Sequence, residues 1–208
     1  SGVFSVIFAE KGAVATAMDA SEKAIEAGKA LKRERGAEGV EFLKADMLKL
    51  PFEDASFDIV WAWGTVHHTG RPTAALDELV RVLRDDGTML LALYRKTRLT
   101  FLHRVATGIL SRIPFALQPL VAKLIAFPLH PFIALFKKRE KLRKGETLEH
   151  LVLDWFFVPV RSHHDPEEIR RYLETKGLGI EMAIVKASRF DSTSNFIFKM
   201  RRGGKAVL

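Results

Sequence analysis

Residues 40–68 read VEFLKADMLKLPFEDASFDIVWAWGTVHH. Two apolar runs, residues 40–45 and 57–63, have the length and character of buried strands. The first is followed by Asp46 and the second by Gly64. Pro51, Asp54 and Ser56 mark a turn between them. A strand that closes on an acid, then a strand that closes on glycine and leads into His67-His68, predicts a sheet with polar residues gathered at its strand ends.

Reading outward supports this. Toward the N-terminus, residues 13–18 are another short apolar run, ending in Asp19. Residues 21–33 have helical character with Ser21 as N-cap. Residues 3–11 predict a short helix, with Phe4, Ile7 and Phe8 at helical spacing and Gly12 closing it. In the other direction, residues 72–83 form an amphipathic helix with Leu76, Leu79, Val80 and Leu83 on one face. It stops at the turn Asp85-Asp86-Gly87, and residues 88–94 form a fourth strand. Near the C-terminus, Asp165 caps a helix over residues 166–176, with Pro166 at its first position and Glu167 and Glu168 in its first turn. Two strands follow, near residues 180–186 and 195–200. Alternating strands and helices imply an α/β fold: a mainly parallel sheet with helices on both faces. Such sheets bind ligands outside the carboxyl ends of their strands. Asp19, Asp46 and Gly64 are therefore expected along one rim.

Composition narrows the class. The chain has 208 residues, about half of them apolar, which suits one domain or one domain with an insertion. It has no cysteine, which excludes disulfides and thiolate-metal sites. The net charge of +8 is uneven. Between Arg95 and Gly145, twelve Lys or Arg face one acid, Glu140, so this segment carries about +11 and the remainder is slightly acidic. The basic character belongs to one segment.

The strand-end acids suggest a nucleotide-like ligand. Asp19 could accept hydrogen bonds from both hydroxyls of a ribose, or could merely cap the following helix. Asp46 could meet an adenine amino group with Met47 on the ring, or could be a turn residue. The segments AMDASEKAIEAGKA, VEFLKADMLKLPFEDASFDIVWAWGTVHH and ALDELVRVLRDDGTMLLALY, in this order, resemble the class I S-adenosylmethionine-dependent methyltransferases. The narrower resemblance is to the branch that includes the ubiquinone- and menaquinone-biosynthesis methyltransferases. It covers residues 1–94 and 165–200 and implies a Rossmann-like methyltransferase fold with S-adenosyl-L-methionine as cofactor. It places Asp19, beside Ala20, on the ribose, Asp46 on the adenine amino group, Met47 against the adenine, and Gly64 at the methionine end. In that family a first strand leads into a G-x-G-x-G turn. Ser1-Gly2 matches only the end of that turn, so the resemblance implies a missing first strand, with Gly2 as the cofactor-binding remnant.

His67 and His68 on the loop after the third strand could serve as a base, a metal site or a helix-start contact. With no convergent carboxylates or cysteines nearby, the pattern argues against a metal. The resemblance makes His68 a pocket-wall residue and the candidate catalytic one, with His67 and Tyr94 lining the acceptor side. A second polar cluster, Asp154, Arg161, His163 and His164, lies before the last helix. Asp154 and His163 are candidate acceptor contacts.

Residues 95–160 are read as an insertion between a core of residues 1–94 and its C-terminal part, residues 161–208. The run IPFALQPLVAKLIAFPLHPFIALF is apolar, but Pro114, Pro119, Pro128, Pro131 and Lys123 interrupt it, so short helices are expected and not a membrane span. The preferred reading is a lid over the acceptor. Peripheral contact with an anionic membrane is the second reading. The apolar density argues against nucleic acid. The expected function is methyl transfer to a small-molecule or lipid-like acceptor in the cytoplasm, with membrane association as the secondary expectation. The alternatives are a non-catalytic Rossmann-like module that docks on membranes, and an RNA methyltransferase.

Overall fold

The computed structural model describes residues 2–98, 100–136, 149, 152–153, 156–157, 160–185 and 195–204. The first half alternates as expected: α1 (Val3–Glu10), β1 (Ala15–Asp19), α2 (Glu22–Arg35), β2 (Val40–Lys44), β3 (Phe57–Trp63), α3 (Pro72–Val82) and β4 (Leu83–Tyr94). After β4 come α4 (Thr100–Leu110) and α5 (Gln118–Phe136). The chain then returns through α6 (Pro166–Thr175), β5 (Leu178–Val185) and β6 (Asn195–Arg202).

Local chemistry sets most boundaries. The Ser21 hydroxyl accepts from the Ala24 N–H at 3.4 Å and starts α2. Gly36, at φ +62°, ends it in the left-handed conformation that glycine adopts without a Cβ clash. Asp165 Oδ1 accepts from the Glu167 and Glu168 N–H groups, and Pro166 opens α6.

The strands form two sheets. β1 and β2 pair in parallel, and the other four run in the order β3-β4-β6-β5. β3 and β4 are parallel, whereas β6 is antiparallel to both β4 and β5. Within this sheet only β6 runs against the others. One boundary differs from expectation. β4 begins at Leu83, because Leu83 and Thr88 pair with Phe57 and Ile59, and residues 84–87 bulge out opposite Asp58. The turn expected at Asp85-Asp86-Gly87 is this bulge. Asp86 sits at φ +64°, and Arg84 reaches Asp58 at 2.7 Å.

The main core lies between the four-stranded sheet and helices α3 and α6, with Leu76, Leu91, Leu173, Phe196 and Phe198 fully buried. A smaller cluster, Val6, Ala17, Ala37 and Val40, holds α1 on β1 and β2. Here α2 approaches so closely that a Cβ on Gly28 would stand 2.2 Å from Phe42 Cε1. The aromatic rings of α1 reach the other sheet, with Phe4 and Phe8 5.0 and 5.1 Å from Trp61. A third cluster joins Ala122 and Ala126 of α5 to Val152 and Phe157.

Candidate active site

Asp19 ends β1 and Asp46 follows β2 in one sheet, whereas Gly64 follows β3 in the other, so the single sheet expected to carry all three strand ends is divided in two. Asp19 is half-buried, and its Oδ1 accepts from the Ser21 N–H at 2.9 Å. The Asp19 carbonyl accepts from the Ala45 N–H at 3.1 Å, which ties the end of β1 to the start of the Asp46 turn. Ala20 beside it is exposed. Asp46 is exposed and turns the chain, with Oδ1 accepting from the Leu48 N–H at 2.9 Å. Both acids thus make a local turn bond to the N–H two residues on, each with one oxygen, and Ser21, not Asp19, is the N-cap of α2. Met47 is half-buried and packs against the main core. Gly2 caps α1 at φ +67°, where a Cβ would strike Phe42 at 2.3 Å. Gly64 ends β3 at φ +74°. Its N–H donates to the Ala92 carbonyl at 3.1 Å, and open space surrounds the position of a Cβ there.

Arg81 braces the loop that follows Asp46. Its guanidinium donates to the Phe52 and Leu50 carbonyls at 2.8 and 3.1 Å and to Asp54 and Glu78 at 2.8 and 2.9 Å. Glu78 in turn accepts from the Leu50 N–H at 2.7 Å. These hydrogen bonds, Arg81 first, hold the Glu78 carboxyl below its ordinary value.

The second group lies at the end of β4. His67 and His68 occupy a 3-10 turn, Val66–His68, one residue beyond Gly64. The His67 ring packs on Tyr94 at 4.0 Å and on His68 at 4.3 Å. His67 is 1% exposed, and neither ring nitrogen has a hydrogen-bond partner among the described residues. Burial, reinforced by neighbouring His68, Arg161, His164 and His163, pushes its pKa down to about 2, so the ring is neutral. His68 Nδ1 lies 2.8 Å from the Val160 carbonyl oxygen. A carbonyl can only accept, so Nδ1 carries a proton, and in the neutral ring Nε2 is then the nitrogen with the lone pair.

Residues 160–164 run along this turn and zip onto it. The Ser162 N–H donates to the His67 carbonyl and the His164 N–H to the Tyr94 carbonyl, both at 2.9 Å. The Lys96 N–H donates back to the His164 carbonyl at 2.8 Å. Ser162 Oγ lies 2.8 Å from His164 Nε2. Burial lowers the His164 pKa. The zipper places the Arg161 guanidinium 4.7 Å over the Tyr94 ring, a cation-π geometry, and stacks His163 on Tyr94 at 5.9 Å. Buried His103 on α4 meets His163 at 5.3 Å and Phe156 at 5.5 Å.

His67, His68, Tyr94 and His163 are therefore brought together as predicted. Asp154 lies outside the described residues. Sequence reasoning missed Ser162 and His103. The density of polar residues in RSHHD pointed to the first. Nothing local distinguishes His103 from any polar residue of an amphipathic helix. Among the described residues, no three His, Asp or Glu come together as a metal-ligand set.

Residues 1–91 match the methyltransferase domain family. A demethylmenaquinone methyltransferase of Clavibacter sepedonicus is 38% identical over 91 residues, 44% of this chain and 36% of that one. A ubiquinone/menaquinone biosynthesis C-methyltransferase of Azotobacter vinelandii is 29% identical over 162 residues, 77% of this chain and 62% of that one. The chain thus spans between one third and two thirds of the length of these relatives. Among solved structures, an S-adenosylmethionine-dependent methyltransferase of Methanosarcina mazei superposes with a TM-score of 0.61 at 19% identity, over 100% of this chain and 89% of that one. The magnesium protoporphyrin IX methyltransferase of Synechocystis PCC 6803, solved with bound S-adenosylhomocysteine, gives 0.57 at 20% identity, over 97% and 69%. At such identities the superpositions show the fold. Residues 1–91 thus match the methyltransferase domain family, and the chain shares its Rossmann-like fold with S-adenosylmethionine-dependent methyltransferases of known structure.

Proposed function

We propose that the chain transfers a methyl group from S-adenosyl-L-methionine to a small, lipid-like acceptor. The observation that carries this reading is the pair of strand ends. Among the described residues, half-buried Asp19 commits one carboxylate oxygen, to the Ser21 N–H, and Gly64 opens on free space. These residues fit the cofactor: Asp19 and Ala20 would hold the ribose, Asp46 and Met47 the adenine, and Gly2 and Gly64 would let backbone approach closely. When bound, the cofactor supplies an activated methyl group on a sulfonium.

The chain's own work lies on the acceptor side. Tyr94 and His163, backed by buried His67, form an aromatic cluster that would border an acceptor. His68 holds its Nε2 lone pair beside that cluster and would accept the proton that the acceptor gives up. The quinone-type relatives direct the reading toward a prenylated aromatic acceptor. Such a substrate resides in a bilayer, so peripheral contact with an anionic membrane belongs to the same reading. The domain match and the fold favour an enzyme over a purely membrane-docking module. Calorimetry with S-adenosylhomocysteine, followed by a methyl-transfer assay on a short-chain demethylated naphthoquinol, tests the two halves in turn. Absence of S-adenosylhomocysteine binding would remove the cofactor assignment. Binding without transfer to the quinol would remove the acceptor class alone.

A further inference from the structure

Helices α4 and α5 carry two apolar surfaces of different kinds. The inner one is closed: Ala122 and Ala126 of α5 pack with Val152 and Phe157. The outer one is open. On α4, Phe101, Leu102, Val105 and Ile109 follow one face and are between 46% and 72% exposed. On α5, Leu120, Leu124 and Phe127 lie opposite the alanine face at helical spacing and are 58%, 66% and 82% exposed. Phe115, in the turn between the helices, is 86% exposed. Residues 100–110 and 115–128 meet at 112°, and among the described residues no single helix is long and apolar enough to cross a membrane. Soluble surfaces rarely present a patch of this kind without a partner.

Charge says which partner. No Asp or Glu occurs in residues 95–139, whereas Arg98, Arg104, Arg112 and Lys123 flank the apolar stripes. Large apolar side chains in an acid-free stretch, flanked by cations, match a bilayer whose surface carries phosphates. A second feature on α4 points the same way. A cavity of about 160 Å³ is lined by His103, Arg104, Thr107, Gly108, Ser111 and Arg161. Its side chains can all donate hydrogen bonds and none is acidic. Thr107 Oγ1 is buried with no hydrogen-bond partner among the described residues, and a Cβ at Gly108 would meet nothing within 4 Å. Residues 104, 107, 108 and 111 form a stripe of α4 that adjoins the exposed apolar one.

We propose that the outer face of α4 and α5 lies in the plane of an anionic bilayer, with the phosphate of a phospholipid headgroup seated in the cavity between α4 and Arg161. The seat adjoins the aromatic cluster, because Arg161 covers Tyr94 and His103 touches His163. The inference deepens the lipid-acceptor reading, on which its biological purpose rests. Its test involves no methyl transfer.

The experiment is co-sedimentation of the full chain with vesicles of phosphatidylcholine alone, or mixed with an equal part of phosphatidylglycerol, at low and high salt. Binding is expected to the mixed vesicles at low salt, weakening as salt rises. The double variant Phe115→Asp/Phe127→Asp should lose about tenfold or more of that binding, because charge replaces the inserted rings. Arg104→Gln/Ser111→Ala should lose the preference for phosphatidylglycerol. All three proteins should keep the same affinity for S-adenosylhomocysteine, which separates failure of the surface from failure of the enzyme reading. Absence of vesicle binding, or equal binding by the aspartate variant, overturns the proposal. So does a dimer that the aspartate variant abolishes, since a second copy would then cover the face. If inorganic phosphate raises the melting temperature of the free chain while vesicles do not bind, the cavity is a soluble-anion site and the lipid assignment is wrong.

Discussion

His68 Nδ1 donates to the carbonyl oxygen of Val160 across 2.8 Å, joining two points 92 residues apart. The bond selects the tautomer and leaves Nε2 as the basic nitrogen. It also makes His68 a strut between the turn after β3 and residues 160–164. Replacement by Ala would confuse the two roles. In His68→Asn the side-chain amide can still donate to Val160 but offers no basic nitrogen. We expect this variant to keep its melting temperature and its affinity for S-adenosylhomocysteine, with kcat reduced about 10²-fold or more, within the range of lost general-base catalysis. A kcat near that of the parent would leave His68 a strut only.

Buried His67 gives the chain a pH signature. Its folded pKa, pushed down to about 2, lies far below the unfolded value near 6.5. The unfolded chain therefore takes up this proton first as pH falls. The contribution of neutral His67 is intact above about pH 6.5 and is lost progressively toward pH 2, at about 1.4 kcal/mol per unit at most. His67→Phe removes the proton and sacrifices no hydrogen bond. Melting curves from pH 8 to pH 4 should be flatter for this variant than for the parent. Parallel curves would contradict the assignment.

Asp19→Ala is expected to weaken S-adenosylhomocysteine binding by about 1.5–3 kcal/mol, the range for hydrogen bonds to a charged acceptor. Asp19→Asn retains an oxygen for the Ser21 N–H and should lose less. Calorimetry reads the affinity, and a melting curve corrects for the lost turn bond. A variant that lowers stability while leaving affinity unchanged would reduce Asp19 to a turn residue.

Gly28→Ala tests the seam between α2 and β2. The added methyl would stand 2.2 Å from Phe42 Cε1, so the ring must move. A loss of about 1–3 kcal/mol is expected from such overpacking. Phe42→Leu in the same chain should recover part of it. Denaturant titration of the two single variants and the double variant measures both effects. Additivity would show that Phe42 is not the obstruction.

The strands and helices of the first half were legible because their signals are local. Ser21 and Asp165 cap through atoms two or three residues away, and Asp19, Asp46 and Gly64 mark strand ends in the very runs they close. The bulge at residues 84–87 was less so. Asp85-Asp86-Gly87 has turn chemistry, and only pairing of Leu83 with Phe57 turns it into an interruption within β4.

By itself the sequence determined the order of elements, the acids and glycine at the strand ends, the concentration of basic residues in one segment, and the resemblance that named a cofactor. Each depends on neighbours in the chain or on a motif in a short window. The tertiary structure decided the rest. It stacked His67 on Tyr94, carried Ser162 and Arg161 back onto the turn after β3, placed His103 against His163, and left Phe101 and Phe127 in solvent while Ala122 and Ala126 turned inward. These are contacts between segments separated by tens of residues. Which face of an apolar helix meets the protein depends on the path of the intervening chain, and periodicity describes both faces without choosing between them.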